Sequence, residues 1–127
     1  MKKFFGILVS VLLVTALCTT AFAAEPRWRN VMAISPTISA ASKSYTSYVV
    51  GVSEATKMEC TLVLYEKGFF GNYTEVDRTS ETYYGFRHEF SGSYPIKSGK
   101  TYKLSTNVTV TANGTSETVN YDFEKKC

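Results

Sequence analysis

The chain has 127 residues, is 44% hydrophobic, 20% charged and 14% aromatic, and carries a formal net charge of +3. That length holds one domain, or a small domain plus a targeting segment. Removal of residues 1–23 would take away Lys2 and Lys3 and leave twelve basic against eleven acidic residues. A near-neutral domain has no basic stripe for nucleic acid and little overall pull toward an anionic membrane, so neither is an expected partner of the mature chain.

The N-terminus reads first. Lys2 and Lys3 form a positive start, residues 4–17 are uncharged and mostly apolar, and Ala21-Phe22-Ala23 places small residues where a signal peptidase reads. The apolar run is too short to span a bilayer comfortably. The pattern predicts a signal peptide over residues 1–23, cut before Ala24, and a secreted domain over 24–127. An uncleaved anchor helix is the alternative. Bulky Leu17 before Cys18 departs from a lipidation signal.

The rest of the chain reads as strands. Residues 31–34, with Ile38 beyond Pro36, predict an edge strand, because proline cannot donate to a central ladder. Residues 45–52 are rich in β-branched and aromatic side chains. Met58, Cys60, Leu62 and Leu64 then alternate with Glu59, Thr61, Val63 and Tyr65, the pattern of a half-buried strand. Residues 67–72 hold two glycines and predict a hairpin loop, followed by a short, more polar strand over 73–79. Phe86, His88 and Phe90 share one face of the next strand, and 91–99 form a connection. Tyr102, Leu104, Thr106, Val108 and Val110 make a long alternating face, and Val119, Tyr121 and Phe123 the return strand. Between them Asn113-Gly114 predicts a type I′ turn, since these residues best tolerate positive φ. About seven short strands in this length predict an all-β fold, a single immunoglobulin-like antiparallel β-sandwich. Tyr102, at the start of the longest strand, is placed either as a tyrosine corner, its hydroxyl bonded to backbone upstream, or as a plain core aromatic.

The segments Ile34-Ser35-Pro36, Thr61-Leu62-Val63-Leu64-Tyr65-Glu66-Lys67, Gly99-Lys100-Thr101-Tyr102-Lys103-Leu104 and Asn113-Gly114-Thr115-Ser116-Glu117-Thr118-Val119, with the terminal Lys126-Cys127, resemble a group of small secreted single-domain β-sandwich proteins of Gram-positive bacteria whose function is not established. The resemblance covers most of the mature chain and implies that fold, but no catalytic motif. In that pattern a cysteine in the strand before the Leu-Tyr strand pairs with the terminal one. Residues 45–52 hold no cysteine here.

Cys60 and Cys127 are the two cysteines of the mature chain. A pair in an exported chain favours one disulfide, yet the strand of Cys60 and the last strand run parallel in the sandwich order, with the two residues near different ends. A bridge, a buried free Cys60, and intermolecular pairing through Cys127 all stay open.

Little else carries chemistry. His88 is the one histidine, no Gly-x-Ser-x-Gly elbow is present, and a hydrogen-bonded, half-buried His88 is expected rather than a base. Glu75 and Asp77 fall on one face of their strand, but Arg78 adjoins them and a solvated face is expected. No ligand set for zinc or calcium and no phosphate loop is found. The expectation is a non-enzymatic monomer with no cofactor and no metal.

Aromatic side chains offer the functional lead. Phe69-Phe70 sit in a glycine-flanked loop, Tyr83-Tyr84 are consecutive so that one should be exposed, and Trp28 lies near the mature N-terminus. They mark a module binding a protein or a cell-surface component. A carbohydrate-binding module with coplanar rings and a secreted enzyme inhibitor are the alternatives. Against all of these stands a plain packing role, with Phe69 and Phe70 folded back over the core.

Overall fold

The computed structural model describes residues 28–127, and the expected signal peptide lies outside them. Seven strands follow in order: β1 (Val31–Ser39), β2 (Ser44–Gly51), β3 (Ala55–Lys67), β4 (Tyr73–Tyr83), β5 (Arg87–Ser93), β6 (Thr101–Ala112) and β7 (Thr115–Lys126). All pairings are antiparallel. They form a sheet β1-β2-β5 and a sheet β4-β3-β6-β7, packed as a β-sandwich with no helix among the described residues. In the constant-type immunoglobulin arrangement the fourth strand joins the sheet of the first, second and fifth. Here β4 lies beside β3, because the loop of residues 68–72 is a tight hairpin that returns the chain antiparallel to its neighbour. Its closure is local: the Gly68 N–H donates to the Asn72 carbonyl at 2.6 Å and Gly71 takes φ +87°.

Alternation builds the core. β6 buries Tyr102, Leu104, Thr106, Val108 and Val110, and β3 buries Met58, Cys60, Leu62 and Leu64 against Tyr45, Val49 and Phe90 of the other sheet. One polar pair crosses this interior, the Thr106 hydroxyl donating to Ser47 Oγ at 2.9 Å. Both residues have no exposed surface, so each satisfies the other. Asn113 and Gly114 take φ +52° and +74°, as a type I′ hairpin requires. Pro36 lies on β1, an edge strand. The Tyr102 hydroxyl accepts the Lys97 N–H at 2.9 Å, which makes Tyr102 a tyrosine corner that ties the β5–β6 connection to the sheet.

Two expectations change. β4 continues to Tyr83, four residues past the predicted end. A register shift between Leu64 and Tyr65 leaves Val76 as the extra residue of a bulge. Glu75 therefore faces outward, 2.7 Å from Arg78, whereas Asp77 faces inward and accepts a 2.6 Å hydrogen bond from Tyr45. The two carboxylates do not share a face.

Both open sides of the sandwich are closed by polar contacts. On the β4/β5 side the Tyr45 side chain crosses from β2 to Asp77 and Thr79. Burial, then the bond to Asp77, push its pKa up to about 12. It passes over Gly92, where an added Cβ would lie 2.3 Å from the Tyr45 ring carbon and hydroxyl. On the β1/β7 side the Asn30 side chain donates to the carbonyls of Val110 and Thr115, and Glu117 accepts the N–H groups of Arg29 and Asn30. Partial desolvation would raise the Glu117 pKa, but these backbone donors outweigh it and hold the carboxyl below its ordinary 4.5.

Gly92→Ala should cost about 3 kcal/mol by displacing Tyr45, and Tyr45→Phe about 1.5 kcal/mol by leaving Asp77 without its donor. Urea midpoints measure both. The stability supplied by Glu117 is present above its unfolded pKa and is lost as pH falls through the depressed folded value. Glu117→Gln should therefore flatten that part of the acid unfolding curve.

Candidate functional site

The β3–β4 loop puts Phe69 and Phe70 in solvent, 97% and 91% exposed. Their rings touch edge to face, with centroids 5.3 Å apart at 89°. They do not fold back over the core. Their backbone lies at a tip beyond the last pair of the β3–β4 ladder, Lys67 with Tyr73. Two adjacent exposed phenylalanines on a hairpin closed by its own hydrogen bonds are an unpaired apolar surface.

The sandwich separates the other aromatic candidates from this loop. Trp28 and Tyr84 lie at the opposite end, with the β2–β3, β4–β5 and β6–β7 connections. Trp28 is half-buried, edge-on to Tyr121 with centroids 6.1 Å apart. Tyr83 is half-buried too, its ring stacked on His88 at 4.0 Å. Tyr84 points out, 74% exposed, with Lys57 Nζ 6.0 Å from its ring centre. Phe86 does not share the strand face expected for it with His88 and Phe90. It precedes β5 instead and is exposed, with the Arg87 guanidinium 5.0 Å from its ring centre. Phe69 and Phe70 thus form one site and Trp28, Tyr83 and Tyr84 do not join it.

One neighbour of the Phe69-Phe70 loop escaped the strand pattern. Lys103 Nζ sits 4.9 Å from the centre of Tyr65 and 4.6 Å from that of Tyr73, on the outer face of the larger sheet. Tyr73 bonds Glu124 through its hydroxyl. Alternation already puts Tyr65 and Lys103 outward, but the bulge decides where Tyr73 meets them. Between the β3–β4 loop and the β5–β6 connection lies an open groove of about 300 Å³, walled by Lys67, Gly68, Phe69, Gly99, Lys100 and Thr101.

His88 Nε2 lies 2.8 Å from Glu81, and stacking on Tyr83 with an edge contact to Phe90 holds the ring at the β4/β5 side. A shallow depression of about 380 Å³ on the outer sheet face is lined by Glu59, Thr61, Ser80, Thr82, Asn107 and Thr109, beside Cys60 and Glu81. Thr61 and Ser80 there bond one another. Among the described residues, no three of His, Cys, Asp and Glu lie together as metal ligands.

No protein-family model matches the chain, and no curated protein is similar to it in sequence. Among solved structures it is similar to the crystal structure of the Parabacteroides merdae β-glucuronidase, with 12% identity and a TM-score of 0.37. The match covers 76% of this chain and 13% of that one.

The Cys60–Cys127 bridge does not form, and both thiols are free. Cys60 sits mid-strand opposite Val108, while the Cys127 N–H donates to the Lys100 carbonyl beyond the start of β6. Eight residues of β6 separate these levels, about 27 Å, against the roughly 7 Å a disulfide spans. Burial, and then the nearby Glu81 carboxylate, push the Cys60 thiol up to about 12, so it stays protonated and packs as a small hydrophobe. Native protein treated with iodoacetamide at neutral pH should be alkylated at Cys127 and not at Cys60. Its intact mass should not change on reduction. A two-hydrogen gain would restore the bridge.

Proposed function

We propose that the domain is an exported, non-enzymatic interaction module that binds a protein or a cell-surface component through the Phe69-Phe70 loop. The observation that carries this reading is the near-complete exposure of both rings on a hairpin whose backbone is held by its own hydrogen bonds. Leaving a phenylalanine in water forgoes about 1.5–3 kcal/mol of burial, which becomes available to a partner. Aromatic side chains suit this use, since they give contact area with few torsions to freeze. The perpendicular rings favour this reading over a carbohydrate platform, which stacks sugars on coplanar faces. Trp28 and Tyr84, at the far end, are left outside the site.

Labelled protein should bind washed cells of the producing culture, and Phe69→Ser/Phe70→Ser should bind at least about tenfold more weakly, a loss of roughly 1.4 kcal/mol. Stability of the double variant should stay within about 0.5 kcal/mol, as for other surface changes. Undiminished binding, or a lower unfolding midpoint as the sole effect, would remove the loop from the function.

A further inference from the structure

The near-neutral charge of the mature chain conceals a segregation along the sandwich. Lys43, Lys67, Lys97, Lys100, Lys125 and Lys126 lie exposed at the Phe69-Phe70 end, and Lys103 sits half-buried beside them. The turn at Lys43 is tied there by the Tyr94 N–H, which donates to its carbonyl, and Lys125 Nζ donates to the Ile38 carbonyl. Of eleven basic and ten acidic residues described, seven basic residues and three acids (Glu66, Glu75 and Glu124) occupy this end. Its net charge is +4 before the chain terminus is counted, and the remainder is −3.

Resting on the reading of the loop above, we infer that this end docks on an anionic phospholipid surface, with Phe69 and Phe70 entering the acyl boundary and the surrounding lysines meeting lipid phosphates. The charge separation orients the molecule, basic end toward an anionic leaflet and acidic end away from it. Among the described residues Lys43, Lys97 and Lys126 have no ion-pair partner, and Lys67 reaches Glu124 only at 4.0 Å across an exposed gap, a pair easily given up. The groove between Lys67 and Lys100 has side-chain-free walls at Gly68 and Gly99, room for one phosphate head group. Basic residues around apolar side chains that reach the headgroup boundary are the chemistry of interfacial binding. A convex tip bearing two perpendicular rings also suits a fluid interface that deforms around it. An acidic peptide would have to supply its own pocket for both.

The test is sedimentation of purified protein, its N-terminus read by mass spectrometry as Ala24, with vesicles of phosphatidylcholine alone or with about a third phosphatidylglycerol. Binding should be confined to the anionic vesicles and weaken as salt rises from about 0.1 M to about 1 M. Phe69→Ser/Phe70→Ser should lose at least about tenfold in partitioning at unchanged stability, and Lys97→Gln/Lys126→Gln roughly twenty-five-fold, about fivefold per lysine. Inorganic phosphate at millimolar concentration should not displace the protein. Absent or lipid-independent binding, full binding by the phenylalanine variant, or displacement by free phosphate would overturn the inference. If vesicles fail while the phenylalanine variant still loses binding to cells, the lipid falls and the loop stands. If that variant is unaffected in both assays, both readings fall.

Discussion

A sheet of three strands laid on a sheet of four leaves a strip of inner face about one strand wide, ~5 Å, without a strand above it. In this fold part of the strip falls on β4. Its inward residues are Asp77, Thr79, Glu81 and Tyr83, none aliphatic, and each is met by a side chain reaching across from the smaller sheet. Tyr45 comes from β2 to Asp77 and Thr79, and His88 comes from β5 to Glu81 and the face of Tyr83. A purely apolar β4 would expose its inner face to water. A charged one without partners would leave carboxylates half-desolvated beside the core. The polar strand with polar visitors resolves both, and it requires Gly92, since any side chain there would occupy the path of the Tyr45 ring.

The opposite side obeys the same constraint by other means. β1 is the edge strand on this side, and the inner face of β7 is covered partly by the segment preceding β1. Glu117 captures that segment through its backbone N–H groups, Asn30 pins it to β6 and β7 carbonyls, and Trp28 lies on Tyr121. Between these two polar seams the interior is apolar apart from Ser47 and Thr106, which satisfy each other. No buried side-chain polar atom among the described residues lacks a partner.

The strands most legible in the sequence are those whose pattern is enforced from both neighbours. β3 and β6 are central, and their inner residues alternate in the chain as they do in space. The Asn113-Gly114 turn was legible because its backbone angles admit few residue types. Tyr102 could be narrowed to two roles, and only the position of the Lys97 N–H separates them. What escaped depends on register. One inserted residue at Val76 sends Glu75 and Asp77 to opposite faces, and nothing in a short polar strand marks a bulge. The cysteine pairing failed to follow from counting because a pair of thiols implies a bridge only where the ladder brings them level. Whether Phe69 and Phe70 cover the core or leave it depends on loop length against sandwich depth, which the local sequence does not encode.

An exposed pair of phenylalanines is a liability unless something restrains it, and its placement supplies the restraint. The rings stand on a closed hairpin, off the unpaired edges of β1, β4, β5 and β7, so they do not extend a strand template for another chain. Lysines surround them, and like charge at one end discourages two copies from meeting tip to tip. These same features disfavour a second copy as the occupant of the tip, and on the proposed reading a negatively charged acceptor gains from both rings and charges. On that reading, the charge segregation along the sandwich is the property that would select its target.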